Sequence, residues 1–513
     1  MTPATARPPA SERPAPGAEA GIPDTGTRDL RSLLAEALPG VPLPPGLTGL
    51  AVTAVADDSR AVRRGALFTA VPGSSRDGAA FAEDAVRRGA AAVIAARPLR
   101  LPVPVVTVDD VRAAAADLAA AFHGHPARAL DMVGITGTNG KTTAAYLLHA
   151  VLASAGRTGG LFGTVEYRVG ERRLPAPNTT PGPVALQSHL AEIRGGGGDH
   201  ALLEVSSHAL VQQRTRGIPF VVAVFTNLTG DHLDYHGTME AYRDAKGLLF
   251  AGLAVGATAC LNDRDPASRV YASLGRGRVR KYGFGPDVEV GAEDLRSGPD
   301  GVEFVLRIDG KRAPVRSPLL GRHNAENLLA AAAGAHGLGL PVDVIAPGLR
   351  SLPGVPGRLE RVDDGSPGFR VVVDYAHTED ALRRVLGNLR PVTPGRVLVL
   401  GGCGGDRDRT KRPRMARAMV ELADEAVFTS DNPRSEDPLA ILREMAAGVP
   451  ATAAFTVIPD RREAIGEIVR RARPGDTVLI AGKGHETYQV LRSGTVPFDD
   501  REEARRALRG GSG

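Results

Sequence analysis

The sequence contains no tryptophan and only two cysteines, Cys260 and Cys403, among its 513 residues. Two cysteines cannot cross-link a chain of this length, so we expect a reducing, cytoplasmic setting. Aromatic residues make up 4% of the chain, which leaves little material for surfaces that stack nucleic-acid bases. No apolar run approaches the roughly 20 residues that span a bilayer, so we expect no membrane insertion.

A strong charge of one sign is also missing. Lys and Arg number 63 against 58 Asp and Glu, a formal net charge of +5. This small excess suits anionic small molecules, such as phosphates and carboxylates, as well as it suits nucleic acid. The 42% hydrophobic and 24% charged residues are close to the average of globular proteins, which excludes disorder of the whole chain. The length predicts about three domains.

Four segments differ in pattern. Residues 1–28 are rich in Pro and Ala and predict a disordered tail without the apolar centre of a signal peptide. Residues 29–126 alternate short β-branched runs with Ala-rich stretches, which predicts a small α/β domain. Residues 127–353 open with a strand that runs into a Gly-rich loop. Residues 354–513 hold four further strand-like runs, each followed by a helical or loop segment, which predicts a doubly wound parallel sheet.

The strongest local signal is a candidate phosphate-binding loop that ends in Gly140, Lys141 and Thr142, between a predicted strand and a predicted helix. Backbone N–H groups of such a loop surround phosphate oxygens, while the lysine neutralises charge and the hydroxyl ligates Mg²⁺. The usual pattern has glycine five residues before Gly140, where this chain has Ile135, so the loop is a variant. The alternative is a Gly-rich turn without a ligand.

Acidic residues and histidines follow the next two strand-like runs. Glu204 ends one run and predicts a second Mg²⁺ ligand, against the alternative of a solvated strand end. Asp231, His232, Asp234 and His236 follow the other, and they indicate either metal ligation or a hydrogen-bonded turn. Lys246 lies on a predicted helix, where a lysine is by default a solvated surface charge.

Ten ordered segments between about Asp57 and Gln489 resemble the Mur ligase family, and within it the MurE-type members that add diaminopimelate. They are TGTNGKTT, PNTTP, LEVSSHALVQQR, TNLTGDHLDYHGTMEAYRDAKGLLF, GRHNAEN, GVPGRLE, VVDYAHTEDAL, GCGGDRDRTKRP, SDNPRSEDP and AGKGHETYQ.

The resemblance implies an α/β fold with three domains. Residues 29–126 would bind UDP, 127–353 would form the central P-loop ATPase domain, and 354–513 would form a C-terminal Rossmann-like domain that binds the amino acid. It implies a monomeric enzyme of peptidoglycan precursor synthesis that uses ATP and Mg²⁺. ATP would phosphorylate the D-glutamate carboxylate of UDP-N-acetylmuramoyl-L-alanyl-D-glutamate, and the amino group of diaminopimelate would attack the acyl phosphate.

The resemblance also assigns residues to ATP and metal. It implies catalytic roles for Lys141, Glu204, His232 and Lys246, with Thr142, Glu204, His232 and Lys246 at the metal ions and Lys246 carbamylated by CO₂. The implied ATP-binding residues are Gly137, Thr138, Asn139, Gly140, Lys141, Thr142, Thr143, Asn324, Arg358 and Asp374. Three of these have structural alternatives: Asn324 as a helix cap, Arg358 paired with Glu360 or Asp363, and Asp374 as a turn residue at a strand end.

Two further sets are implied for the other substrates. The UDP-sugar-dipeptide would contact Ser59, Ser74, Ser75, Arg76, Asn178, Thr179, Thr180, Ser206, Gln212 and Arg214. Diaminopimelate would contact Arg407, Asp431, Asn432, Pro433, Arg434, Gly482 and Glu486. Arg434 suits the distal carboxylate because a guanidinium pairs with it through two hydrogen bonds, and Glu486 suits the distal ammonium. The alternative for Asp431–Arg434 is an Asn-Pro turn, which leaves the arginine arbitrary.

Three other functions remain as alternatives: a lysine-adding Mur ligase, a folylpolyglutamate synthase, and a nucleotide-gated switch or nucleic-acid-binding protein. Arg434 argues against the first, and the predicted N-terminal domain argues against the second. The third leaves the C-terminal segments that contain Arg407, Arg434 and Glu486 without a role.

Overall fold

The computed structural model describes residues 26–73, 76–363 and 368–510, and it divides into two compact units. The described part of the first unit runs to Pro126 and also includes Pro181–Gly195, while the second contains Ala127–Thr180 and the residues from Gly196 onward. Residues 1–25 of the predicted tail lie outside the described residues. Strand β1 (Arg28–Asp29) begins at the last residue of the predicted tail.

The first unit is built on a four-stranded parallel sheet with the strand order β3-β4-β5-β6. Buried Leu, Val, Ile and Ala side chains pack this sheet against the helices. Asp29 and Asp110 each cap a helix by accepting a backbone N–H bond in the first turn, as expected of N-cap residues. The remaining strands and the helices are β2 (Ala51–Val52), β3 (Ala54–Ala56), β4 (Ala66–Thr69), β5 (Ala92–Ala95), β6 (Val105–Thr107), α1 (Leu30–Ala37), α2 (Ala82–Arg87), α3 (Val111–Phe122) and α5 (Pro183–Gly195).

The second unit contains an eleven-stranded sheet with the order β10-β9-β8-β11-β7-β12-β13-β14-β15-β16-β17. Its parallel centre places β7 between β11 and β12, so the carboxyl ends of these three strands meet at one edge. The elements of this part are β7 (Asp131–Thr136), α4 (Lys141–Ser154), β8 (Gly159–Phe162), β9 (Glu166–Val169), β10 (Arg172–Pro175), β11 (His200–Glu204), α6 (Ser207–Val211), β12 (Phe220–Phe225), α7 (Leu233–His236), α8 (Met239–Ala251), β13 (Thr258–Asn262), α9 (Ala267–Tyr271), β14 (Arg278–Gly283), β15 (Val290–Gly298), β16 (Gly301–Ile308), β17 (Lys311–Ser317), α10 (Arg322–Gly337) and α11 (Val342–Arg350).

The same unit contains a six-stranded sheet with the order β18-β19-β23-β20-β21-β22, parallel except for β18. Its central strands are buried on both faces by the surrounding helices, as parallel sheets require. Its elements, together with a separate hairpin (β24 and β25), are β18 (Glu360–Arg361), β19 (Arg370–Asp374), α12 (Glu379–Leu389), β20 (Val397–Gly401), α13 (Lys411–Leu422), β21 (Glu425–Phe428), α14 (Pro438–Ala446), β22 (Thr456–Val457), α15 (Arg461–Arg471), β23 (Thr477–Ala481), β24 (Tyr488–Leu491), β25 (Gly494–Pro497) and α16 (Asp500–Gly510).

The predicted α/β class and the parallel C-terminal sheet are confirmed. The four strand-like runs predicted after residue 354 correspond to β19, β20, β21 and β23. The antiparallel pairings β8-β9-β10 and β15-β16-β17 were not predicted, and they extend the sheet at both edges, with β8 and β15 parallel to their inner neighbours β11 and β14. The domain boundaries at 126 and 353 stay predictions.

Candidate active site

The loop between β7 and α4 has the backbone of a phosphate-binding loop. Gly137 and Gly140 have φ values of 147° and 85°, in the region that favours glycine. A Cβ atom on Gly140 would overlap the Oδ1 atom of Asn327, and one on Gly137 would overlap Thr226 Oγ1. The neighbouring elements therefore press directly on the loop. This close packing explains why both positions require glycine. The first backbone N–H groups of α4, like those at other helix N-termini, can bind an anion.

Residues that follow β12 hold the loop in place. Asn227 accepts a hydrogen bond from the Asn139 N–H at 3.0 Å and donates one to the Asn139 carbonyl at 3.1 Å. Thr226 donates to the same carbonyl at 2.6 Å. The sequence analysis missed Thr226 and Asn227, although their position at the end of a strand beside β7 was a usable signal.

A cavity of about 90 Å³ opens above this loop. It is lined by Thr138, Asn139, Gly140, Lys141, Thr142, Thr143, Thr164, Glu204 and Arg358. The Lys141 ammonium donates to the carbonyls of Gly137 and Thr138 at 2.8 and 3.0 Å. Burial lowers the pKa of Lys141, while nearby Glu204 raises it. The cavity thus collects the predicted phosphate-binding residues around one lysine.

Glu204 is fully buried at the end of β11, so the alternative of a solvated strand end is wrong. Its carboxylate accepts hydrogen bonds from the Thr142 hydroxyl at 2.9 Å, the Thr164 N–H at 3.0 Å and the Thr164 hydroxyl at 3.1 Å. A carboxylate beside a hydroxyl is a hard oxygen donor set, which fits Mg²⁺ when nucleotide phosphates supply further ligands. The sequence analysis missed Thr164.

Arg358 reaches the same cavity from the segment before β18. Its guanidinium lies 3.4 Å from the Thr142 hydroxyl and 5.0 Å above the Tyr375 ring. Its Nε atom is buried and has no hydrogen-bond partner among the described residues. A buried donor without a partner is costly, so this arginine fits an anionic ligand.

The predicted alternative partners of Arg358 are engaged elsewhere. Glu360 lies within 3.5 Å of Arg501 and accepts a hydrogen bond from the Gly357 N–H. Asp363 pairs with Arg361 at 2.8 Å. The alternative in which Arg358 pairs with Glu360 or Asp363 is therefore wrong.

Lys246 on α8 is 1% exposed, so the expectation of a solvated surface lysine is wrong. Its Nζ donates to the Gly137 carbonyl at 3.0 Å and lies 4.4 Å from the centre of the Tyr242 ring. Burial, and secondarily the charge of Lys141, lowers the pKa of Lys246 well below its ordinary value. The structure therefore places a buried lysine with a lowered pKa in contact with the phosphate loop.

The candidate metal ligands after β12 are more exposed. His232 precedes α7 with a φ of 54°, and its side chain is 47% exposed. The His232 and His208 rings pack edge to face at 4.8 Å, and the His236 ring nitrogen lies 2.9 Å from the Ser207 hydroxyl. In the part of the chain that the structure describes, no group of three or more His, Cys, Asp or Glu residues is arranged to hold a metal. Metal ligation by His232 stays a prediction.

Asn324 and Asp374 are buried in local hydrogen bonds. Asn324 donates to the Leu320 carbonyl at 2.8 Å and accepts from the Asn327 amide at 2.9 Å. It is not the N-cap, because Gly321 holds that position in α10. The Asp374 carboxylate accepts from the N–H groups of Leu359 and Ala376 at 2.7 and 2.8 Å.

These contacts separate the structural alternatives for the two residues. The cap alternative for Asn324 is wrong, whereas the turn role of Asp374 at the end of β19 is confirmed. Burial raises the pKa of Asp374. A nucleotide contact of either residue stays a prediction.

Several residues assigned to the sugar-dipeptide lie beside Glu204. Thr180 donates to the Glu204 carbonyl at 2.8 Å, and the Thr179 and Thr164 hydroxyls are 3.1 Å apart. Arg214 donates to the Thr180 carbonyl at 2.9 Å.

The other members of this set have the following positions. Asn178 accepts from Tyr167, Ser206 caps α6, and Gln212 accepts from Arg214. In the first unit Ser59 is buried and Arg76 is exposed, and Ser74 and Ser75 lie outside the described residues.

The residues assigned to the amino acid surround two loops of the six-stranded sheet. Asn432 donates to Glu486 Oε2 at 3.0 Å, and Arg434 donates to the Gly405 carbonyl at 2.8 Å. Gly482 has a φ of 116°, and a Cβ atom there would lie 2.6 Å from Asp431 Oδ2. The structure thus brings the 431–434 and 482–486 segments together.

The remaining two assigned residues lie in different segments: Pro433 belongs to the 431–434 segment, and Arg407 lies between β20 and α13. Pro433 is buried, while Arg407 is exposed and contacts the carbonyl of Asp406. The sequence analysis missed Lys483, which is fully buried between Asn432 and Glu486.

Comparison with known proteins shows which family this chain belongs to. Family models for the Mur ligase family catalytic domain, the Mur ligase middle domain and the Mur ligase glutamate ligase domain match residues 51–123, 135–335 and 357–484. The chain belongs to the Mur ligase family. It therefore has the three-domain architecture of that family, with a central ATPase domain and a C-terminal Rossmann-like domain.

Curated relatives of this Mur ligase extend over nearly the whole chain. A protein of Geobacillus thermodenitrificans named UDP-N-acetylmuramoyl-L-alanyl-D-glutamate--2,6-diaminopimelate ligase is 48% identical over 465 residues, 89% of this chain and 95% of its own. A Solibacter usitatus protein of the same name is 48% identical over 474 residues, 91% of this chain and 96% of its own.

Solved structures give the same result for the fold. A structure titled as that same ligase is 34% identical with a TM-score of 0.65, and it covers 90% of this chain and 95% of its own. MurF ligase from Thermotoga maritima in complex with ADP has a TM-score of 0.63 at 19% identity, and the match covers 89% of this chain and 97% of that one. The second likeness concerns the fold alone.

Two further predictions from the sequence concern membrane-spanning helices and the two cysteines. Among the helices of the described ranges, none combines the length and apolarity needed to cross a membrane. Both cysteines are buried and free, and burial raises the pKa of each thiol to about 12. Cys403 is thus an inert core residue, as the sequence predicts.

Proposed function

We propose that this Mur ligase adds diaminopimelate to the D-glutamate γ-carboxylate of UDP-N-acetylmuramoyl-L-alanyl-D-glutamate, with ATP converted to ADP and phosphate. The observation that carries this proposal is the 48% identity, over about nine-tenths of each chain, to proteins named for this reaction. The reaction serves peptidoglycan precursor synthesis, and we propose a cytoplasmic, monomeric enzyme without a nucleic-acid partner.

The cavity at the phosphate loop supports the first half of the reaction. Transfer of the γ-phosphoryl group to a carboxylate brings two anions together, so positive charge must be concentrated between them. Lys141 and Arg358 supply fixed cations on two sides of Thr142. The N–H groups at the start of α4 bind the phosphate chain, and the adjacent cluster of Thr179, Thr180 and Arg214 binds the muramoyl-dipeptide.

Thr142 and Glu204 would hold Mg²⁺, and we propose that Glu204, His232 and Lys246 contribute to a second metal position. When bound, the metal ions neutralise charge on the phosphate oxygens. Glu204 is fixed for this purpose by Thr164, which donates to both of its oxygens. We propose that Asn324 and Asp374 also contact the nucleotide.

We propose that Lys246 is carbamylated. Its neutral amine would attack the carbon of CO₂, form an N–C bond and lose a proton, giving a carbamate anion. Because the side chain is 1% exposed and beside Lys141, an ammonium there is unfavourable. A carbamate replaces that cation with an anion that attracts Lys141 and provides oxygen ligands. The pairing of a buried lysine with a neighbouring cation supports this modification.

The second half of the reaction takes place at the C-terminal domain. The amino group of diaminopimelate attacks the acyl phosphate, phosphate leaves, and the nitrogen loses a proton to give the amide. Arg434 would bind the distal carboxylate and Glu486 the distal ammonium, while Arg407, Asp431 and Gly482 shape the pocket. Lysine lacks the distal carboxylate and would leave the Arg434 guanidinium without its partner.

Phosphate release from ATP and Mg²⁺ tests this function. The assay contains UDP-N-acetylmuramoyl-L-alanyl-D-glutamate and, in separate reactions, meso-diaminopimelate, LL-diaminopimelate or lysine, with the product identified by mass. We expect stimulation by a diaminopimelate and a tripeptide product. Stimulation by lysine alone would contradict the role of Arg434, and no stimulation by any of the three would contradict the proposed substrates.

A further inference from the structure

Lys483 is a fully buried lysine in a loop of the C-terminal domain. Lysine is rarely buried without a partner, because removing an ammonium from water is costly. The backbone of this loop restricts the movement of Lys483 toward solvent. Gly482 and Gly484 on either side have φ values of 116° and 55°, and a Cβ atom on Gly484 would lie 2.7 Å from Tyr375 Cβ. The position of Lys483 is thus fixed from both sides.

Lys483 closes a triangle with Asn432 and Glu486. Its Nζ lies 3.1 Å from Asn432 Oδ1 and 3.2 Å from Glu486 Oε2, and Asn432 Nδ2 donates to the same Oε2 at 3.0 Å. Asn432 Oδ1 also accepts from the Val490 N–H at 2.9 Å. Lys483 therefore joins the 431–434 segment to the 482–486 segment through a charge-assisted contact.

The triangle engages only one oxygen of the Glu486 carboxylate. Both hydrogen bonds from Lys483 and Asn432 end on Oε2, and no described residue donates a hydrogen bond to Oε1. The Glu486 side chain keeps 18% of its surface exposed, whereas Lys483 has none. Because Lys483 and Asn432 hold the Glu486 carboxylate through Oε2, its Oε1 atom is available to a ligand.

We infer that Lys483 is a positioning residue that fixes Glu486 for the distal ammonium of the amino-acid substrate. The inference rests on the proposed function, since it requires that substrate. Lys483 thus supports selection of the distal amino group through Glu486, whereas Arg434 is proposed to bind the distal carboxylate directly. Without Lys483, the Glu486 side chain loses the ion pair that restrains it and samples several rotamers. The free energy of binding a substrate ammonium to Glu486 is then less favourable.

The test uses Lys483→Met in the full-length enzyme and three amino acids. Diaminopimelate carries both distal groups, 2-aminopimelate lacks the distal ammonium, and lysine lacks the distal carboxylate. We expect kcat/KM for diaminopimelate to fall about tenfold or more, mainly through KM. The preference for diaminopimelate over 2-aminopimelate should shrink to about threefold or less, while the preference over lysine and the KM for ATP stay as in the wild type.

A double-mutant cycle separates positioning from a general structural role. If Lys483 acts through Glu486, then Lys483→Met should change kcat/KM less than about twofold in a Glu486→Gln background. A structural role would lower the activity by the same factor in both backgrounds and would change the KM for ATP as well. Equal factors would overturn the inference.

Lys281→Met is the matched control, because Lys281 is half-exposed on β14 and pairs with Asp263 at 3.1 Å. It should leave all selectivities unchanged. Lys483→Gln, which keeps a neutral donor for Asn432, is the second variant. If neither Lys483 variant folds, the residue serves folding and the inference is overturned. A wild type that does not use diaminopimelate overturns the proposed function too, whereas wild-type selectivity in Lys483→Met overturns the inference alone.

Discussion

At the scale of single residues, burial gives the charged groups of this enzyme their character. Lys246 and Glu204 are both almost completely buried, although their positions on a helix and at a strand end are compatible with solvated surfaces. Their partners come from the loop after β7, from α4 and from the segment after β8, which are distant in sequence. Their roles therefore depend on contacts that no local pattern contains.

Replacing Lys246 with Ala should abolish ligase activity, because it removes the proposed carbamate beneath the phosphate loop. Short carboxylates added to the assay should restore part of the activity by occupying the vacated space. The modification itself is measurable in the wild type as a ¹³C carbamate signal after equilibration with ¹³CO₂, independent of activity. Full activity of Lys246→Ala without added carboxylate would contradict the proposal.

Replacing Arg434 with Ala should reduce kcat/KM for diaminopimelate by on the order of 10²- to 10³-fold, the loss expected when a bidentate charged contact is removed. The KM for ATP should change little, since Arg434 contacts Gly405 and Asn432 and lies outside the phosphate cavity. Steady-state kinetics with each substrate varied in turn provide the measurement. An unchanged kcat/KM for diaminopimelate would show that Arg434 does not bind the distal carboxylate.

At the scale of elements, the phosphate loop is packed against two elements that are distant from it in sequence. The loop joins β7 to α4, residues after β12 hold its backbone, and Asn327 on α10 contacts Gly140. Local sequence predicts the strand, the loop and the helix. It does not predict that Asn327 on α10 packs against Gly140, because the two residues are distant in sequence.

Replacing Gly140 with Ala should raise the KM for ATP more than tenfold and lower the free energy of unfolding by about 1–2 kcal/mol. The φ of 85° is unfavourable for alanine, and the new methyl group overlaps Asn327 Oδ1. The matched control is Gly387→Ala on α12, where a Cβ atom meets nothing within 4 Å. That control should stabilise the protein by about 0.5–1 kcal/mol. Nucleotide binding and thermal unfolding check both, and unaltered ATP affinity in Gly140→Ala would refute the argument.

At the scale of the whole molecule, partly buried histidines link stability to pH. Burial lowers the pKa of five of them to about 4 in the folded protein, from 6.5 for an exposed histidine. They are His123, His149, His208, His323 and His485. Between pH 6.5 and 4 the unfolded chain binds more protons than the folded one. The contribution of these histidines to the free energy of unfolding is therefore fully present above pH 6.5 and is lost as the pH falls toward 4.

The apparent melting temperature should therefore fall between pH 7 and pH 5, and His323→Gln should flatten this dependence. His323 is suited to the test because its Nδ1 is buried without a hydrogen-bond partner among the described residues. One such histidine contributes up to about 1.4 kcal/mol per pH unit within the range. Carboxylates paired with arginine, such as Glu444 with a pKa of about 2, add their losses only at lower pH. Parallel pH profiles of the variant and the wild type would contradict the argument.

The sequence by itself determined the α/β class, the phosphate loop and the family, because these depend on periodicity and on short segments whose chemistry is local. The resemblance also assigns Asn178–Thr180 and Asp431–Arg434 to the substrates, and these assignments stay predictions. Only the tertiary structure decided that Lys246 and Lys483 are buried and that Arg358 and Thr164 meet Thr142 at the cavity. It also decided that Asn227 and Asn327 pack against the phosphate loop. Burial and contact are set by the pairing of strands distant in sequence, and a single sequence does not record those distances.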